Sequence, residues 1–102
     1  MSELKLLDER LARSERIVGR RLAGEYVLVP IVDRSADADS IYTLSAVAAF
    51  LWERFDGRTS GHALVDQLVA AFDVERGQAT QDYVEFVTQL TSLGAVHPAG
   101  ER

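Results

Sequence analysis

The sequence predicts an α+β domain: a three-stranded antiparallel sheet followed by three helices. Up to about residue 44 the apolar residues come in short β-branched and aromatic runs separated by polar turns. From Ser45 onward they recur at helical spacing instead. Strands grouped first and helices grouped after them point to α+β rather than to an alternating parallel-sheet fold.

The elements follow in order. Leu4, Leu7 and Leu11 stand at i, i+3 and i+7 among charged residues, which suits a short amphipathic arm over residues 1–15. That arm reads equally as a helix or as a terminus that orders on a partner. Ile17–Leu22 and Tyr26–Val32 are β-rich runs divided by Ala23-Gly24-Glu25, the mark of an antiparallel hairpin. Pro30 offers no N–H to a neighbour, so the second strand is expected to bulge there or to leave that edge free. The polar stretch 34–39 is a loop, and Ser40–Leu44 forms a short third strand.

Ser45 is a suitable N-cap for a first helix that buries Val47, Ala48, Leu51, Trp52 and Phe55 and stops at Asp56-Gly57. Thr59 or Ser60 caps a second helix carrying Leu64, Val65, Leu68, Val69 and Phe72. Thr80 caps a third, with Tyr83, Phe86, Val87, Leu90 and Leu93 inward and Gly94 just past its end. Ala95-Val96-His97 is a last extended piece before Pro98. Three strands beside three helices, the last two joined by a short turn, outline a winged helix-turn-helix over residues 16–98, with 99–102 as a tail.

Composition narrows the function classes. The chain has 102 residues, enough for one domain with one core. It has no cysteine, which removes disulfides, thiolate nucleophiles and Cys-type zinc sites. The longest apolar run, Ala46–Trp52, is too short to span a bilayer. With no apolar signal region at the N-terminus, a cytoplasmic location is the default expectation.

A catalytic centre is not expected. His62 and His97 lack the spacing of a helical zinc pair, so no metal site is expected either. The carboxylates are dispersed, the glycines form no phosphate loop, and Ser45 lacks the flanking glycines of a nucleophile elbow. Nothing points to a cofactor. DNA binding is also disfavoured. The net charge is −5, and no Lys or Arg occurs from Gly77 to Glu101, where the recognition helix of such a fold would lie. Asp82 and Glu85 on that helix would repel phosphates.

What remains is a binding surface. The Ser40–Leu44 strand is expected at a sheet edge, able to accept a further strand through main-chain hydrogen bonds. Val84, Val87 and Thr91 of the third helix offer an apolar wall beside it. The free edges and the arm also permit a homodimer or an adaptor subunit that binds a protein partner.

From about Ile17 to Val96 the chain resembles the PqqD family and the wider group of RiPP recognition elements, domains serving ribosomally made, post-translationally modified peptides. The resemblance rests on Tyr42-Thr43-Leu44-Ser45, on Phe50-Leu51-Trp52 followed by Phe55-Asp56-Gly57, on Leu64 and Leu68, and on Phe72-Asp73. Asp82, Phe86, Leu90, Gly94 and Val96 follow at the family's spacing. Ser45 replaces the usual Asn, and both cap helices. The resemblance implies a non-catalytic peptide chaperone. Such a domain binds a precursor peptide's leader between the third strand and the third helix and presents it to a modifying enzyme, often a radical SAM protein. Carried onto this chain, the groove comprises Ile41, Tyr42 and Thr43 with Val84, Val87, Thr88 and Thr91 opposite. Asp82 would cap the helix or meet a basic leader residue, the cap being favoured.

Overall fold

The computed structural model describes residues 3–31 and 42–99. Ile41 therefore lies outside the described residues. Among the described residues ten elements run in the order α1 (Glu3–Asp8), β1 (Arg10–Arg13), β2 (Ile17–Leu22), β3 (Glu25–Pro30), β4 (Tyr42–Leu44), α2 (Ala46–Trp52), β5 (Asp56–Ser60), α3 (Gly61–Phe72), α4 (Arg76–Ser92) and β6 (Val96–Pro98). The expected sheet is present as β2-β3-β4, antiparallel throughout. A second antiparallel sheet, β5-β1-β6, joins the N-terminal segment to the strands just before α3 and just after α4.

The β2–β3 hairpin turns through Ala23 and Gly24, both at positive φ (51° and 85°). This is the backbone that a two-residue turn needs to match the twist of its strands. Pro30 is the last residue of β3, and β4 pairs only with Tyr26, Val27 and Leu28, so the missing N–H interrupts no ladder there. Gly19 is demanded by a close approach: a Cβ there would lie 2.6 Å from both Trp52 Nε1 and Tyr26 Oη.

Ser45 caps α2 by accepting a bond from the Ala48 amide (3.1 Å), and Ser60 caps α3 through the Ala63 amide (3.2 Å). Both caps are where the sequence puts them. The first helix is shorter than expected. It ends at Trp52, and Asp56-Gly57 opens β5 instead of closing the helix. The Asp56 carboxylate accepts the amides of Arg58 (2.8 Å) and Thr59 (3.0 Å), which holds its pKa below the usual carboxylate range, the Arg58 bond contributing most. α3 ends on Asp73 in the left-handed conformation.

The last helix differs most from expectation. It begins at Arg76, a full turn before Thr80. Thr80 and Asp82 are thus interior, and Asp82 caps nothing; it accepts a bond from Gln78 Nε2 (2.9 Å), one turn back. Asp66 of α3 pairs with Arg76 at the start of α4, anchoring the early turn that Gly77 alone would weaken.

One core holds the elements together. Leu51, Trp52 and Phe55 meet Leu64, Val65 and Leu68 of α3 and Ala79, Tyr83, Val87 and Leu90 of α4. Leu28 closes it from β3. Residues 3–13 are built into this core rather than lying beside it. Leu7 and Leu11 are buried, Gly61 N–H bonds to the Glu9 carbonyl (3.2 Å), and β1 is the central strand of its sheet.

Candidate functional site

β4 is an edge strand, paired to β3 on one side only among the described residues. Alongside it runs a cleft whose far wall is α4. Its larger part, about 440 Å³, lies between Thr43, Leu44, Ser45 and the start of α2 on one side and Asp82, Glu85, Phe86 and Gln89 on the other. It continues as a cavity of about 310 Å³ bounded by Leu28, Tyr42, Thr43 and Leu44 and by Phe86, Gln89, Leu90 and Leu93. A third, smaller space beneath Tyr42 and Leu93 reaches Ile17 and Pro30.

Tyr42 and Thr43 therefore line the cleft as expected of the strand. The helix presents a different face from the expected one. Successive residues are about 100° apart around a helix, so Tyr83, Val87 and Leu90 fix the direction of the core. Asp82, Phe86, Gln89 and Leu93 flank that direction on the β4 side, whereas Val84, Thr88 and Thr91 flank it on the opposite side. Val87 is fully buried (0 % exposed) and belongs to the packing. None of Val84, Val87, Thr88 and Thr91 lines the spaces beside β4. The cause is the docking of α4: its apolar band is wider than the core requires, and tertiary packing decides which flank is turned to β4.

Phe86, Gln89 and Leu93, with Glu85 beside them, line the cleft although the sequence does not place them there. Phe86 and Leu93 were expected in the core. Instead Phe86 is half-buried, stacked on Phe55 (centroids 6.3 Å, interplanar 24°), with the rest of its ring toward the cleft. Leu93 is 42 % exposed and Tyr42 43 %, both unusual for large apolar side chains. The stripe Asp82, Phe86, Gln89, Leu93 at i, i+4, i+7, i+11 was the available signal.

The electrostatics of the cleft are one-sided. Among the described residues its charged lining consists of Asp82 and Glu85, both at the α2 end. Gln78 donates to Asp82, and Gln81 Nε2 to Glu85 (3.4 Å), neither partner being a cation. Among the described residues no group of His, Asp and Glu could hold a metal ion, and no helix is long and apolar enough to cross a membrane. His62 meets Asp8 on the surface (2.9 Å), and His97 contacts the Pro98 carbonyl (3.4 Å), both away from the cleft.

The family model described as coenzyme PQQ synthesis protein D (PqqD) matches residues 25–96. The chain belongs to the PqqD family. The match runs from β3 to the first residue of β6 and so includes both walls of the cleft. Two solved structures are similar to this PqqD family member in fold. One is a lasso peptide synthetase B1 complexed with the leader peptide: TM-score 0.70, 24% identity, covering 87% of this chain and 99% of that one. The other is TbiB1 in complex with the TbiA(beta) leader peptide: TM-score 0.68, 20% identity, covering 89% and 98%. A comparison with curated proteins finds no match.

Proposed function

We propose that this PqqD family member is a non-catalytic peptide chaperone that takes the leader of a ribosomally made precursor peptide as an added strand between β4 and α4. The observation that carries this reading is the β4 edge, unpaired on one side among the described residues, facing a cleft with an apolar floor. An edge strand supplies main-chain donors and acceptors in a fixed register, and the helix opposite reads alternate side chains. Family membership supports it, as do two proteins of similar fold solved with leader peptides. In this reading Tyr42 and Thr43 provide the backbone edge, and Phe86, Gln89 and Leu93 the selective wall.

The domain would hold the leader while a partner enzyme modifies the core. The family resemblance implies a radical SAM protein as that enzyme. The likeness to lasso peptide synthetase B1 favours a lasso-forming synthetase as the second reading. Isotopically labelled protein titrated with precursor peptides encoded near its gene tests the binding itself. Backbone shifts confined to residues 42–45 and 82–93 are expected. Shifts restricted to residues 3–21 would overturn the proposal in favour of an adaptor that uses its N-terminal face.

A further inference from the structure

The cleft has two chemically different ends, and the distance between them is fixed by α4. Asp82 and Glu85 stand at the end next to Ser45 and the start of α2. Among the described residues no Lys or Arg lies within the cleft lining, and none follows Arg76 in the sequence until Arg102. At the other end Tyr42 and Leu93, two of the exposed large apolar residues, converge over Leu28, with Ile17 and Pro30 beneath. Phe86 and Gln89 line the passage between. A strand lying along β4 would pass both ends.

Resting on leader binding at this cleft, we propose that the accepted strand carries a Lys or Arg facing Asp82 and Glu85 and a bulky apolar side chain four positions away facing Tyr42 and Leu93. The spacing follows from geometry. Glu85 to Leu93 spans about 12 Å of helix and Asp82 to Leu93 about 16 Å, at roughly 1.5 Å per residue. A strand advances about 3.3 Å per residue, so these spans equal about four to five strand residues. Side chains of a strand alternate faces, so both anchors point at α4 only when their separation is even. Four is the even value in that range.

The charge requirement has an equally simple origin. A carboxylate in the peptide at that position would be held beside two others with no cation among the described lining residues to relieve it, whereas an ammonium or guanidinium would meet both. The pair lies at a rim open to water, so its effect is moderate and sensitive to salt. The apolar anchor would cover Tyr42 and Leu93, removing surface that water otherwise wets.

The test uses four synthetic nonapeptides of threonine background, titrated into the labelled full chain. One has lysine and leucine four positions apart, one glutamate and leucine at the same positions, one lysine and leucine three apart, and one threonine throughout. The first is expected to move resonances of residues 42–45 and 82–93 and to bind about fivefold or more tightly than the glutamate and three-apart peptides. Its advantage over the glutamate peptide should shrink as salt rises and vanish in the Asp82→Asn, Glu85→Gln double variant, whose fold is checked by its thermal melt. Equal binding of the lysine and glutamate peptides at the cleft overturns this inference and leaves leader binding intact. So does a lysine preference that survives in the double variant. Shifts from every peptide that fall elsewhere on the molecule overturn both.

Discussion

Tyr83 is the most informative position for a stability experiment, because its ring and its hydroxyl pull in opposite directions. The ring is fully buried (0 % exposed), facing Phe55 edge-on at 6.4 Å. The hydroxyl has no hydrogen-bond partner among the described residues. It lies against α3 where that helix begins, so close that a Cβ on Gly61 would stand 2.9 Å from it. A buried polar group without a partner costs about 1–3 kcal/mol. Tyr83→Phe removes that cost and leaves a void of roughly one oxygen atom, worth a few tenths of a kcal/mol at about 24 cal/mol per Å³. The variant should therefore be more stable by about 1–2 kcal/mol, raising Tm by roughly 4–16 °C for a domain of this size.

The same site predicts a pH dependence. Burial, reinforced by the nearby Glu9 charge, pushes the Tyr83 phenol well above its ordinary value. Below about pH 10 the phenol is protonated in both folded and unfolded chains, and the site adds no pH dependence. Above that value the unfolded chain releases the proton and the folded chain keeps it. The unfolded state then binds fewer protons, and stability falls by about 1.4 kcal/mol per pH unit from this group. Tyr83→Phe should lose that slope. A smaller alkaline slope should persist from Tyr26, whose pKa is raised by burial and then by Glu53. Urea denaturation followed by circular dichroism at pH 7, 10 and 11 measures both effects. A variant less stable than the parent at pH 7, with the alkaline slope unchanged, would refute the reasoning and mean that the hydroxyl is hydrogen-bonded in solution.

Other substitutions test the fold and the cleft separately. Ala23→Asn places a residue suited to positive φ before Gly24 and should stabilise the hairpin by about 0.5–1 kcal/mol in thermal melts; a loss would mean that the turn has another form. Gly19→Ala drives a Cβ into Trp52 and Tyr26 and should cost about 1–3 kcal/mol, with a change in Trp52 fluorescence marking the displaced ring. Leu93→Ser and Phe86→Ala should each weaken leader binding about tenfold by calorimetry, whereas Thr88→Asp should leave it unchanged. The opposite ranking would restore the other flank of α4 as the binding wall.

Much of the molecule was legible in its residues because local rules govern those parts. The Ala23-Gly24 turn, the Ser45 and Ser60 caps, and Gly94 at positive φ after α4 (72°) all depend on backbone groups within a few positions in sequence. The buried stripe of Leu51, Trp52, Leu64, Val65, Leu68, Tyr83 and Leu90 follows from helical periodicity, since only one face of each helix can meet the others. The same order and spacing of residues marked the chain as PqqD-like, and the family match agrees.

Partners far apart in the chain determined the rest. Arg10–Arg13 and Asp56–Ser60 show no alternation that would mark them as strands. They become strands because β1 finds β5 and β6, which are distant in sequence. The start of α4 was hidden for a related reason: Gly77 reads as a breaker, and the compensating Arg76–Asp66 pair bridges two helices. The sequence alone thus determined the family, the main sheet and the edge strand. Only the tertiary structure decided which flank of α4 faces that edge, because an amphipathic pattern specifies the direction of a helix's core but not what stands on either side of it.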